Sequence, residues 1–162
     1  MNRAINNELV ITRVFDAPRE LVWKAWSDPE LYKRWWGPKF FTCPAAKIDF
    51  RVGGKYISCM RSAQGHEFWS TGTYLEIVPF ERIVYSDSFA DENGNTVHAS
   101  YYNMPGDDWP LELMVTVQLE DYEGRTKMTL THTGIPAGMM SEMTGQGWNE
   151  SFDKMVEIFK NL

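Results

Sequence analysis

Three side chains have the type and the placement for proton chemistry. His132 follows Met128 and Leu130 at intervals of two, so it shares one side of an extended segment with apolar neighbours. Glu67 and Asp87 fall on the same inward parity when the alternation of their own segments is counted. An imidazole beside a carboxylate in such a setting can orient the polar head of a ligand or act as general acid–base. The plainer outcome for such a histidine is a hydrogen bond within the core. No motif assigns a catalytic residue: GxSxG, phosphate loop and dinucleotide fingerprint are missing, and Gly53-Gly54 reads as a hairpin turn. Two cysteines and three histidines without CxxC or HxxxH spacing argue against a structural zinc site, and no cofactor is expected.

Those residues need a frame, and the frame is best read from the end of the chain. From Trp148 onward, Ser151, Phe152, Met155, Val156, Phe159 and Leu162 recur at intervals of three and four, the signature of a one-faced helix. Gly145 and Gly147 are poor helix formers, so the packed part of this helix is expected from about Gln146. Almost everything earlier reads as strand. Segments 9–15, 46–52, 55–61, 67–78, 83–89, 111–120 and 125–133 alternate or are β-branched, and turn residues separate them. After the first strand, Pro18 and the Asp28-Pro29 pair start two short helices, ending near Trp26 and Trp36. The stretch 90–110, with its Gly, Pro, Asn and acidic residues among Tyr101, Tyr102, Met104 and Trp109, breaks the pattern. It reads either as a binding loop or as a surface excursion anchored by its aromatics.

Composition bounds the function. A chain of 162 residues, 43% hydrophobic, suits one compact domain over 1–162. A net charge of −6 with no basic run argues against nucleic acid or an anionic membrane as partner. No apolar stretch is long enough to span a bilayer, and residues 1–9 lack a signal-peptide apolar core, so a cytoplasmic protein is expected. Counting back from the Gly53-Gly54 turn sets Cys59 opposite about residue 48, well away from Cys43, which speaks against a disulfide.

A sheet of seven antiparallel strands with one apolar face must curve around something, and a lone helix about 10 Å across cannot fill it. An internal pocket is therefore the default site. Strand parity gives a list of cavity-facing side chains: Phe50, Tyr56, Met60, Trp69, Tyr85, Met128 and His132. Trp148 and Phe152 join them from the helix, and Trp35 and Trp36 cap the closed end.

The segments ITRVFDAPRELVWKAWSDPELYKRWWGP (11–38), IDFRVGGKY (48–56), GTYLEIVPFERIVYSDSF (72–89), DWPLELMVTVQLEDYEGRTKMTLTHTGIP (108–136) and GWNESFDKMVEIF (147–159) resemble one family. It is the branch of the START-like (Bet v-like) helix-grip superfamily named for homologues of the activator of the heat-shock protein 90 ATPase. The resemblance implies an α+β helix-grip fold, a curved seven-stranded antiparallel sheet with two short helices and a long C-terminal helix enclosing a cavity. It implies a small, mainly apolar ligand held inside. It also brings two alternatives, a co-chaperone that stimulates the heat-shock protein 90 ATPase and a cavity enzyme of cyclase or hydrolase type. A homodimer is a further expectation, because members of the superfamily often pair.

Overall fold

The computed structural model describes residues 8–104 and 109–162. Residues 1–7, part of the segment read for a signal peptide, and 105–108 of the long loop lie outside the described residues. The elements run β1 (Glu8–Phe15), α1 (Arg19–Ser27), α2 (Pro29–Trp35), β2 (Thr42–Ile48), β3 (Lys55–Arg61), β4 (Glu67–Val78) and β5 (Arg82–Ala90). After a 3-10 turn at Ala99–Tyr102 come β6 (Leu113–Tyr122), β7 (Arg125–Thr133) and α3 (Met139–Lys160).

One antiparallel sheet of seven strands is ordered β1-β7-β6-β5-β4-β3-β2. β1 and β2 are consecutive in sequence yet occupy opposite edges, so the chain between them must cross the whole sheet. The α1–α2 pair makes that crossing. Pro18 and Pro29 fit the helix starts because their missing N–H groups would have no partner there, and the Asp28 carboxylate accepts from the Glu30 N–H at 2.9 Å.

The crossing helices close one end of the fold with aromatic rings. Trp26 and Trp35 meet edge-on at 4.8 Å, and the Trp35 indole N–H donates to the Ala25 carbonyl at 2.8 Å. From β1, Phe15 meets Phe152 and Phe159 of α3 edge-on at 6.2 and 5.6 Å. Such pairs add about 0.5–1.5 kcal/mol each beyond area burial. Among the described residues no helix is long and apolar enough to cross a membrane.

Several expectations are corrected. β2 is Thr42–Ile48 rather than 46–52. Residues 49–52 belong to the turn, where a side chain on Gly54 would sit 2.1 Å from the Asp49 carbonyl oxygen, and Val52 is exposed. The Ala45–Cys59 pairing sets Cys59 opposite a residue only two from Cys43, nearer than the count allowed; both thiols are free. β6 begins at Leu113, leaving Leu111 exposed. α3 begins at Met139, seven residues before Gln146, because Met140 packs with Ala99, Trp109, Leu113 and Ile135 and outweighs the glycines. At its far end Ile158 is buried, whereas Leu162 is exposed.

Candidate functional site

Gly72 in β4 is the residue around which the polar part of the site forms. It pairs with Tyr56 of β3, and a side chain there would come within 2.7 Å of the Tyr56 ring and 1.7 Å of the Ser86 carbonyl oxygen. With no side chain in the way, the Tyr56 phenol crosses β4 and donates to Asp87 Oδ1 on β5 at 2.8 Å. Burial first, and then the Asp87 charge, push this phenol well above the ordinary tyrosine range, so it stays a donor.

Across β6, His132 of β7 sets its Nε2 at 3.1 Å from Asp87 Oδ2. The approach is close but bent, and Nε2 makes no straight hydrogen bond. On the other side of the ring, Trp148 of α3 donates its indole N–H to His132 Nδ1 at 3.1 Å. An indole N–H can only donate, so Nδ1 carries the lone pair and the ring proton sits on Nε2. The result is a polar chain, Tyr56–Asp87–His132–Trp148, laid over five strands and tied to the helix.

This chain forms one wall of a cavity of about 280 Å³ between the sheet and the N-terminal half of α3. Its other walls are mainly apolar, with Ser70, Ser88, Thr144 and Ser151 among them. Trp36 and Trp148 pack edge-on at 5.1 Å, and Phe68, Phe89, Trp109 and Met140 also line the space, which opens to solvent on one side. A second void, lined by Tyr32, Tyr56, Tyr74 and Tyr85, holds only about 10 Å³, roughly one water at most.

The long loop builds a wall of the cavity. The His98 Nε2–H donates to the Trp109 carbonyl at 3.0 Å while Nδ1 accepts from the Ser100 N–H, which fixes both ends of the segment. The Tyr102 hydroxyl donates to the Ala90 carbonyl and accepts from the Trp69 N–H, pinning the loop to β4 and β5. Met104 and Trp109 line the cavity. Opposite them, Lys154 of α3 donates to the Pro38 and Phe41 carbonyls at 3.0 and 2.9 Å, and burial lowers its pKa. That strap holds Pro38 at the cavity wall.

The residues expected from sequence divide into groups. Trp36, Met60, Asp87, His132 and Trp148 line the cavity. Tyr56 stands behind Asp87, while Tyr85, Met128 and Phe152 are fully packed core, and Trp35 is buried at the closed end. Phe50 is half-buried in the turn after β2, against Trp23 and Tyr74. One placement and one parity are corrected. Glu67 and Trp69 share the outward parity of Arg61 and Cys59; Glu67 pairs with Arg61 at 2.6 Å away from the cavity, while Trp69 lines the cavity as expected. The cause is the register shift between Tyr74 and Glu76, which turns the inward set from Ile77 to Tyr74, Ser70 and Phe68.

Sequence reasoning missed Phe68, Phe89, Met140, Met143, Thr144 and Ser151 as lining residues. For the helix a signal existed: 140, 144, 148, 151 and 155 continue one face through the two glycines.

The model of the family described as "Activator of Hsp90 ATPase homolog 1-like protein" matches residues 16–160. No functionally curated protein matches the chain. Among solved structures, a protein of Chromobacterium violaceum superposes with a TM-score of 0.77 at 29% identity, covering 94% of this chain and 96% of that one. One from Arthrobacter aurescens gives 0.79 at 26%, covering 100% and 91%. The AHSA1 protein of Silicibacter pomeroyi gives 0.75 at 22%, covering 94% and 97%, a likeness of fold. With sheet, helix pair and C-terminal helix in the helix-grip arrangement and the model matched over nearly the whole length, this chain belongs to the activator of Hsp90 ATPase homolog 1-like family.

Proposed function

We propose that the protein binds a small, mainly apolar molecule in the cavity beneath the N-terminal half of α3. The observation that carries this reading is the cavity itself, about 280 Å³ with mostly apolar walls, in a fold whose other end is filled by rings. A dry cavity of about 150 Å³ accepts benzene, so this one suits a one- or two-ring body. The wall also holds a polar group that a ligand could reach, the Asp87 carboxylate, whose side chain is 22% exposed. The free thiols of Cys43 and Cys59, pushed up to about 11 chiefly by burial, stay protonated and suit a reducing, cytoplasmic setting.

The acid–base reading is weaker. The basic lone pair of His132 lies on Nδ1 and is occupied by Trp148, so the ring has no free acceptor for a substrate proton. Glu67, on the outward parity, leaves only Asp87 beside it. The co-chaperone reading rests on the family's name.

Thermal unfolding with one- and two-ring apolar probes tests the binding reading. Indole at a hundred times its Kd should add about 2.7 kcal/mol, a rise of roughly 5–10 °C in Tm. Ser151→Met, which fills the cavity from α3, should remove most of that rise. If no probe of this size shifts Tm in the unsubstituted protein, the reading fails.

A further inference from the structure

The cavity wall has an uneven charge pattern, and this indicates which head group the ligand carries. Among the described residues Asp87 is the only formally charged side chain lining it; no lysine or arginine reaches the wall. His132, the other ionisable side chain of the wall, is engaged on both nitrogens, with Nδ1 accepting from the Trp148 indole N–H and Nε2 at 3.1 Å from Asp87 Oδ2.

Asp87 also has acceptor capacity to spare. A carboxylate offers about four lone-pair positions. The Tyr56 hydroxyl takes one, and the bent His132 contact uses part of a second. The Asp87 side chain remains 22% exposed, on the cavity side of the polar chain. The rings of Trp36, Phe68, Phe89, Trp109 and Trp148 line the same cavity. Where an ammonium group lies over the face of such a ring it is attracted by about 0.5–2 kcal/mol. A carboxylate head would meet the like charge of Asp87 with no lysine or arginine on the wall to offset it. An alcohol head would gain a hydrogen bond but no charge attraction.

We infer that the ligand is an organic amine, with an aromatic or short aliphatic body in the apolar part of the cavity and its ammonium group on Asp87. The inference rests on the ligand-binding reading above and adds the head group to it.

Three molecules of one skeleton provide the test, 3-phenylpropylamine, 3-phenylpropan-1-ol and 3-phenylpropanoate, measured by calorimetry at neutral pH with the full chain. The amine should bind at least tenfold more tightly than the alcohol, and the propanoate should show no binding. In Asp87→Asn the ratio of amine to alcohol affinity should fall to about one. If the propanoate binds as well as the amine, or the amine preference persists in D87N, the inference is overturned while the binding reading stands on the alcohol. If none of the three binds and indole leaves Tm unmoved, the binding reading falls first. Where D87N fails to fold, the series on the unsubstituted protein decides alone.

Discussion

A methyl group at position 72 would collide with the Ser86 carbonyl and the Tyr56 ring together, at 1.7 and 2.7 Å. One of these is backbone and cannot swing aside, so Gly72→Ala should cost about 2 kcal/mol or more, read as a lower midpoint in urea. Trp148→Phe keeps a ring against Trp36 and Phe152 but removes the donor to His132 Nδ1. Leaving that buried nitrogen unpaired should cost about 1–3 kcal/mol. A loss equal to that of Trp148→Phe in a His132→Leu background would show the hydrogen bond to be worth nothing. At this scale, alternation in the sequence brought out His132 and Asp87 as a pair, and they meet at 3.1 Å. It could not show why Tyr56 reaches them, since a glycine inside a strand reads as weakness rather than as a passage.

The strands whose alternation is uninterrupted, β3 and β7, run from Lys55 to Arg61 and from Arg125 to Thr133, as their patterns predict. β4 has the right ends and the wrong face along half its length. Its register shifts after Tyr74, and a bulge leaves no residue-type signal in TYLEI. α3 shows the opposite failure: helix propensity argues for a later start, and packing of Met140 overrides it. Its glycines are not required by space: a side chain on Gly145 would meet Leu9 at 3.4 Å, an ordinary contact. Gly145→Ala should therefore stabilise the helix by up to about 1 kcal/mol and raise Tm by a few degrees. A fall in Tm would mean that the N-terminal part of α3 needs the freedom the glycine gives.

The molecule is unequal from end to end, with rings filling one half of the interior and space left in the other. Four phenols, Tyr32, Tyr56, Tyr74 and Tyr85, are held above their ordinary range chiefly by burial. An unfolded chain loses its phenolic protons near pH 10. Above that pH the unfolded state binds fewer protons than the folded one, so stability is intact below about pH 10 and falls as pH rises further. Absorbance at 295 nm should show these four silent until a cooperative transition that coincides with loss of circular dichroism. Smooth ionisation of all seven tyrosines in a still-folded protein would contradict their burial. The sequence made the overall scaffold readable because strand and helix periods are local. The position of the void was not readable, since it depends on which large side chains happen to meet.

The separation of a filled end from a hollow one has an evolutionary consequence. Substitutions at Phe68, Phe89 or Met143 change the shape of a space without removing a keystone, whereas changes at Phe15, Trp35 or Phe152 remove contacts that the fold stands on. Lineages sharing this scaffold can thus drift in what they accept while keeping how they fold, and a deep mutational scan should show tolerance in the first set and intolerance in the second.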